Sequence, residues 1–390
     1  VSSAAPDTPW PIRILHLHSS FSLGGKESRA ARLMNLMGGR ARHTILSAMP
    51  EALGARDAID PAIAVDFPKD APPLHGKPSL DRYRMLARYM GGFDLVLSYN
   101  WGAMDGVMAH RIFSRRHRLP PLIHHEDGFN EDESIRRNWK RNLFRRVALR
   151  TAQSVVVPST LLERIAAEEW GAGDLVQMVR NGIDTAAYRH GPALPIPGLE
   201  RRKGDVVIGT VAGLRKVKNL TRLVALAAHL VPQARLVIVG EGPERAAIAA
   251  EAVVCGWDNR FLMAGFMPDP HRWIGNIDIL ALTSLSEQAP IAVIEAMAAG
   301  LPVVSLDVGD VAAMVAPENL PFIAKDETAF RNSLKRLASD AALRRTIGAA
   351  NRRAAAARFD ESDMVGAYEK LYARALQGYG PFSGNWVGFD

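Results

Sequence analysis

The segment with the most chemical content is Ser284-Leu-Ser-Glu287-Gln-Ala289-Pro290-Ile291-Ala-Val-Ile-Glu295-Ala-Met-Ala-Ala-Gly300. The apolar run before it, 277–282, reads as a strand. Pro290 suits the first turn of a following helix, because its missing N–H would have no intrahelical partner there. The helix start around Ala289, Pro290 and Ile291 offers free backbone N–H groups and a positive dipole end, which together favour a phosphate. Glu287 falls in the loop ahead, and Glu295 about a turn and a half inside the helix. Both can therefore face one extended ligand, one at a sugar end and one at a nucleoside end. Carboxylates suit that task because each can accept two hydroxyl hydrogen bonds. Two glutamates on a solvated helix would show the same spacing, but strand, helix start and the following Ala-Met-Ala-Ala-Gly-Leu-Pro-Val-Val run agree on a site.

A second loop leaves a strand and delivers cations to a helix start: Gly209-Thr-Val-Ala-Gly213-Leu-Arg215-Lys216-Val-Lys218-Asn219-Leu. Two or three positive groups there can stabilise a bound anion such as a diphosphate. Val239-Gly240-Glu-Gly-Pro243 ends another strand in a tight turn, and Gly265-Phe266-Met267 begins a further loop.

The 284–300 segment resembles the E-x(7)-E signature of retaining GT-B-fold glycosyltransferases of the family 4, or group 1, kind. The likeness spans about 182–372 nearly throughout and is looser in the first half. It implies that Glu287 meets donor-sugar hydroxyls and Glu295 the ribose. It also implies that Gly240, Phe266 and Met267 border the nucleotide base. Lys218 matches the lysine of the family's Gly-Arg-Leu-x(3)-Lys pattern, whereas Gly213 stands where the arginine is expected, so Arg215 is assigned the missing guanidinium. Asn181-Gly-Ile-Asp184 resembles the hinge motif. Gly309-Asp310 replaces the usual Gly-Gly, and Ala313 a usual glutamate.

In the first half, Ser22-Leu-Gly24-Gly25-Lys26-Glu27 resembles the family's glycine-rich first loop, where backbone can approach a phosphate or acceptor closely. His124-His-Glu-Asp127-Gly-Phe129 follows a strand. The family places a histidine here beside the reacting sugar, and His124 and Asp127 are the candidates. His16 and His18 alternate on one strand face and read as packing.

The elements that must hold these residues alternate between short apolar strands and amphipathic helices, the pattern of repeated β-α units with parallel sheets. Strands are expected at 12–18, 94–98, 122–125, 154–157, 206–211, 236–240, 277–283 and 302–306. A proline- and glycine-rich stretch interrupts them. The expected organisation is α/β with two Rossmann-like domains, 1–185 on the acceptor side and 205–358 binding the donor across an interdomain cleft. Residues 186–204 would link them, and a helix from 359 would cross back to the first domain ahead of a frayed tail. A length of 390 residues, 48% hydrophobic and 23% charged, suits two globular cores.

Residues 134–150 carry seven Lys/Arg, with Ile135, Trp139, Leu143 and Val147 spaced by four. A basic amphipathic helix can lie on an anionic membrane surface. The reading preferred here packs the apolar stripe on the domain and leaves the basic face in water. The net charge of +7 points to an anionic partner. Nucleic acid is a poor fit, because stacking aromatics are not interleaved with the cations.

Residues 1–11 show no signal-peptide pattern, and no apolar run reaches the ~18 residues of a bilayer span. A cytoplasmic protein, at most peripheral on the inner face of the membrane, is expected. The lone Cys255 gives no disulfide framework and is expected as a buried hydrophobe at a helix end. No D-x-D triplet, Walker A sequence or Cys/His cluster of metal spacing occurs.

The expected function is a metal-independent retaining transferase without a cofactor. It would use an NDP-sugar, UDP-sugar first, as co-substrate and a hydroxyl of a glycan or lipid-linked acceptor, in cell-envelope polysaccharide or glycolipid synthesis. A GT-B-fold UDP-sugar epimerase and a non-catalytic module with a degenerate donor cleft are the alternatives. Acceptor-dependent release of UDP separates all three.

Overall fold

The computed structural model describes residues 11–22, 24–129, 133, 136–228, 230 and 233–377. The leader reading over 1–11 (all but residue 11), Leu23 of the glycine loop, Ser134 and Ile135 of the basic segment and the tail beyond Gln377 lie outside them. By internal contacts the chain divides into two compact units, Val1–Val179 with Val365–Asp390, and Arg180–Met364.

The first unit holds seven parallel strands: β1 (Ile12–His18), β2 (Ala41–Ser47), β3 (Val65–Asp66), β4 (Leu95–Tyr99), β5 (Leu122–His125), β6 (Ser154–Val157) and β7 (Val176–Met178), in the order β3-β2-β1-β4-β5-β6-β7. Strands β4, β5 and β6 are buried at every position. That explains why they read as continuous apolar runs rather than alternating ones. Helices α1 (Gly25–Met37), α2 (Leu80–Met90), α3 (Met104–His117), α4 (Trp139–Ala148) and α5 (Thr160–Glu168) fill the crossovers. Ser79 and Ser159 accept from the backbone N–H of Arg82 and Leu162, capping α2 and α5.

The second unit repeats the plan with six parallel strands: β8 (Val206–Val211), β9 (Ala234–Val239), β10 (Phe261–Gly265), β11 (Ile279–Leu282), β12 (Val303–Leu306) and β13 (Ile323–Ala324), ordered β10-β9-β8-β11-β12-β13. Helices α6 (Leu220–Ala227), α7 (Arg245–Val254), α8 (Ile291–Ala299), α9 (Val311–Met314), α10 (Glu327–Ser339) and α11 (Ala341–Arg358) accompany them, and α12 (Glu361–Leu376) follows. Ile208, Leu236, Val237 and Leu280 are fully buried, each contributing roughly 1.5–3 kcal/mol of transfer free energy. The proline-rich stretch before β8 is packed rather than free, since Tyr188 and Ile196 sit in this unit's core.

Each sheet winds outward in both directions from a central pair, β1/β4 in one unit and β8/β11 in the other. At such a reversal the crossover connections diverge and leave a crevice at the carboxyl ends of the strands, where ligands of doubly wound sheets bind.

Two expectations need correction. Cys255 caps the end of α7 half-buried, with its Sγ 3.4 Å from Glu251 Oε1. More consequentially, α4 is inverted. Its apolar stripe faces out, with Trp139 68%, Leu143 54% and Val147 38% exposed, while Arg145 is fully buried. The Arg145 guanidinium lies 5.0 Å from the Trp101 ring centroid, 5.5 Å from Phe129 and 4.9 Å from Trp170. Its ion-pair partners are Glu126 and Glu133, each at 3.4 Å. A planar, weakly hydrated cation stacked on rings and paired with carboxylates tolerates burial. The helical spacing shows the stripe but not which face the neighbouring chain covers.

Candidate active site

In the second unit the loop after β8 and the loop after β11 meet through side chains. Lys218 Nζ donates to Glu287 Oε1 at 2.6 Å, and Ser284 Oγ donates to the same oxygen at 2.7 Å. Both members of the ion pair are largely sheltered, at 18% and 8% side-chain exposure. The two loops are also tied through the backbone, with Leu285 N donating to Val217 O at 2.8 Å. Lys218 ends a short 3-10 turn, Lys216–Lys218, and Asn219 follows it with φ 50°. Arg215 is exposed at the head of that turn and has no carboxylate partner among the described residues. The site thus carries a neutralised lysine–glutamate pair and a guanidinium still able to meet an anion.

Gly213 sits in the same loop, and a Cβ there would meet only Arg215 Nε at 3.7 Å and Glu241 O at 4.0 Å. No steric demand keeps it glycine. Gly240 differs: its φ is +140°, and a Cβ would fall 1.9 Å from Ala212 O. Backbone therefore packs on backbone, and Ala212 N to Val239 O (3.0 Å) and Leu214 N to Glu241 O (2.9 Å) lace the two loops together. Phe266, beyond β10, is 57% exposed, and Met267 packs partly into the core beside it.

Helix α8 begins one residue later than expected: Pro290 is its N-cap, extended at φ −66° and ψ 122°, and Ile291 is the first helical residue. Ala289 O accepts from Asn181 Nδ2 at 2.9 Å, so the hinge-like Asn181 fastens the loop ahead of the helix. Glu295, one turn in, is hydrogen-bonded to the Tyr188 hydroxyl. Burial pushes its carboxyl up to about 7, against the smaller opposing effect of that hydrogen bond. The Tyr188 phenol is raised as well, by burial and then by Glu295. Across the loop from α8, Gly309 has φ +57°, and a Cβ would lie 2.4 Å from Glu287 O, so this position holds the glutamate's backbone closely.

In the first unit the predicted residues fall into two groups on opposite faces of the sheet. On one, His124 Nδ1 bonds Ser98 Oγ at 2.9 Å, and its other nitrogen lies 3.7 Å from Glu126. On the other, His18, Tyr99 and His125 end β1, β4 and β5 and stack as a column. Ring centroids are 4.1 Å apart between His18 and Tyr99 and 4.6 Å between Tyr99 and His125, and Tyr368 of α12 lies 5.8 Å beyond. His16 joins through Tyr99 Oη at 3.2 Å and His43 at 3.0 Å. Burial lowers the imidazoles, to about 4 at His43 and about 3 at His125, so the column is neutral near pH 7.

Asp127 stands at the end of this column in a two-point ion pair with Arg29 of α1, at 2.6 and 2.9 Å. Burial would raise its carboxyl, and Arg29 outweighs that to leave it lowered. Its backbone N–H donates to Asn100 Oδ1 at 2.8 Å, and Asn100 is held at φ 55°. Gly24 caps α1 in extended backbone, Gly25 opens the helix, and no side chain caps it. Lys26 pairs with Glu27. Sequence reasoning missed Arg29, Tyr99, Tyr188 and Tyr368. Arg29 and Tyr368 are joined to their partners only through the fold, whereas Tyr99, the last residue of a buried strand beside the sheet reversal, was open to inference.

Two doubly wound parallel units in one chain, with charged and hydrogen-bonding residues at their strand ends, make up the GT-B architecture. Residues 196–354 match the family model described as glycosyl transferases group 1, and residues 23–187 match that of glycosyltransferase family 4. The chain belongs to the GT-B glycosyltransferases of this group 1/family 4 type.

Among characterised relatives it is similar to the 2-deoxystreptamine glucosyltransferase of Streptomyces kanamyceticus, 31% identical over 42% of this chain and 45% of that one. It is also similar to the N-acetyl-alpha-D-glucosaminyl L-malate synthase of Bacillus anthracis, 26% identical over 52% and 54%. The chain spans about half the length of these curated relatives. The structure of Anabaena Alr3699/HepE in complex with UDP and glucose superposes with a TM-score of 0.74 at 21% identity, over 94% of this chain and all of that one. The sucrose-phosphate synthase of Thermosynechococcus elongatus gives 0.71 at 18%, over 93% and 98%.

Proposed function

We propose that the chain is a retaining, metal-independent glycosyltransferase that moves a sugar from a UDP-sugar to a hydroxyl of a glycan or lipid-linked acceptor, in envelope polysaccharide or glycolipid synthesis. The observation that carries this reading is the Lys218–Glu287 pair at the β8/β11 reversal, 2.6 Å apart, with α8 starting a few residues on. The UDP complexes known for a similarly folded protein support the choice of nucleotide.

In this mechanism Glu287 orients the donor sugar through its hydroxyls and Glu295 receives the ribose hydroxyls. The bond from the anomeric carbon to the diphosphate oxygen breaks, and Lys218 and Arg215 stabilise the charge left on the diphosphate. The acceptor oxygen bonds to the anomeric carbon on the face the diphosphate leaves, and its proton passes to a diphosphate oxygen. The Lys218–Glu287 contact has a specific use here. It neutralises the lysine before the donor arrives and releases a cation to the phosphates once Glu287 turns to the sugar.

The test is UDP release from UDP-sugars with and without candidate acceptors. Release that requires an acceptor, with α-configured product from an α-configured donor, supports the reading. UDP formed equally without acceptor, or inverted product, would overturn it.

A further inference from the structure

The inverted face of α4 is a surface the transfer chemistry does not use. Trp139, Leu143 and Val147 recur every four residues and form one outward apolar stripe, exposed as described above. Residues 136–150 contain seven Lys/Arg and no Asp or Glu. Arg137 pairs with Glu169, Arg141 with Glu133, and Arg145 with Glu126 and Glu133. Arg136, Lys140, Arg146 and Arg150 are exposed and have no carboxylate partner among the described residues. Lys140 flanks the stripe within the helix, Arg136 lies just ahead of α4, and Arg150 lies in the short 3-10 turn, Leu149–Thr151, that follows it.

An apolar ridge rimmed by exposed cations that have no carboxylate partner among the described residues matches one kind of partner. A bilayer bearing anionic headgroups offers hydrocarbon for the ridge and phosphate for the rim. A protein groove would have to supply both an apolar trough and a ring of acids. The burial of Arg145 completes the case. Its aromatic cage and two carboxylates fix the helix with its charged residue inward, so the stripe is held outward by a specific and costly arrangement. We propose that α4 docks this protein on an anionic membrane surface, with Trp139, Leu143 and Val147 entering the interface and Arg136, Lys140 and Arg150 meeting lipid phosphates.

Flotation of the full chain tests this, using phosphatidylcholine–phosphatidylglycerol vesicles against pure phosphatidylcholine vesicles. Wild type should float with the anionic vesicles and stay behind with the neutral ones. The variant Trp139→Ser/Leu143→Ser/Val147→Ser should lose about tenfold or more in partitioning. The variant Arg136→Gln/Lys140→Gln/Arg150→Gln should lose on the order of 10²-fold at low salt. Both variants change exposed side chains, and unchanged thermal melts would show that the fold is intact. Wild type failing to float with anionic vesicles would overturn the proposal, as would an apolar variant that floats like wild type. So would a wild-type dimer, dissociated by the serine variant, that ignores vesicles. Flotation needs neither donor nor acceptor, so its outcome is independent of the transfer reaction.

Discussion

The two sheet reversals of this protein are built alike and filled differently. At β8/β11 the strand ends carry a sheltered Lys218–Glu287 pair, an exposed Arg215 and a carboxyl, Glu295, that burial raises to about 7. At β1/β4 the strand ends carry a buried stack of neutral rings, closed by the Arg29–Asp127 pair at 6% and 14% exposure. The same topology thus carries, in the proposed function, one crevice whose charges turn to a ligand and one whose polar groups pair with each other. A reversal marks where a ligand can bind, and the side chains decide whether the position is spent on binding or on packing.

That contrast can be broken most forcefully at Arg29. Arg29→Ala leaves Asp127 buried and unpaired, and should cost about 3–5 kcal/mol of stability. A thermal melt reads this directly, and a melting temperature equal to wild type would show that the first reversal is not held by this pair. The Asp127 carboxyl is lowered in the fold, so the pair contributes fully above the ordinary carboxylate pKa. The contribution is lost as pH falls through the lowered value.

Lys218→Ala should behave in the opposite way. Its loss of stability should be the smaller of the two, because Ser284 Oγ still donates to Glu287, while kcat falls on the order of 10²-fold. Wild-type turnover in that variant would remove the lysine from the chemistry.

A third expectation concerns Glu295, whose pKa is raised to about 7. The folded chain holds this proton more tightly than the unfolded one, so its contribution to stability falls between the ordinary glutamate pKa and about 7, and then levels. If the carboxylate accepts the ribose hydroxyls, UDP-sugar affinity should rise with pH over the same window, by up to tenfold per unit. Titration calorimetry across pH 5–8 checks this, and Glu295→Gln should flatten the profile. The smallest effect is expected at Tyr188. Tyr188→Phe removes the hydroxyl bound to Glu295, at about 1 kcal/mol, and should move the midpoint of that profile upward.

Much of the proposed donor-side site is legible in the sequence because its parts are local. Glu287, Pro290 and Glu295 belong to one strand–loop–helix unit, and Lys218 to another. What brings Lys218 to Glu287 is the crossover that sets β8 beside β11, and the alternation of strands and helices already implies parallel neighbours. The first unit is less legible because its contacts are distant in sequence. Arg29 and Asp127 lie 98 positions apart, and Tyr368 reaches His125 from the far end of the chain. Nothing near His18 or His125 in sequence announces a stack. The face of α4 failed for a related reason: a four-residue repeat of apolar side chains ordinarily marks the buried side. Here an arginine caged by Trp101, Phe129 and Trp170 takes that side instead.

The most direct test of the account is calorimetric titration of UDP into wild type and Glu295→Ala, beside GDP and ADP. Selective binding of UDP to wild type is expected, with at least tenfold weaker binding in Glu295→Ala, and a cooperative melt in the absence of ligand would show that the variant is folded. Equal affinity in the two proteins, or no uridine preference, would contradict the placement of the nucleotide at the β8/β11 reversal.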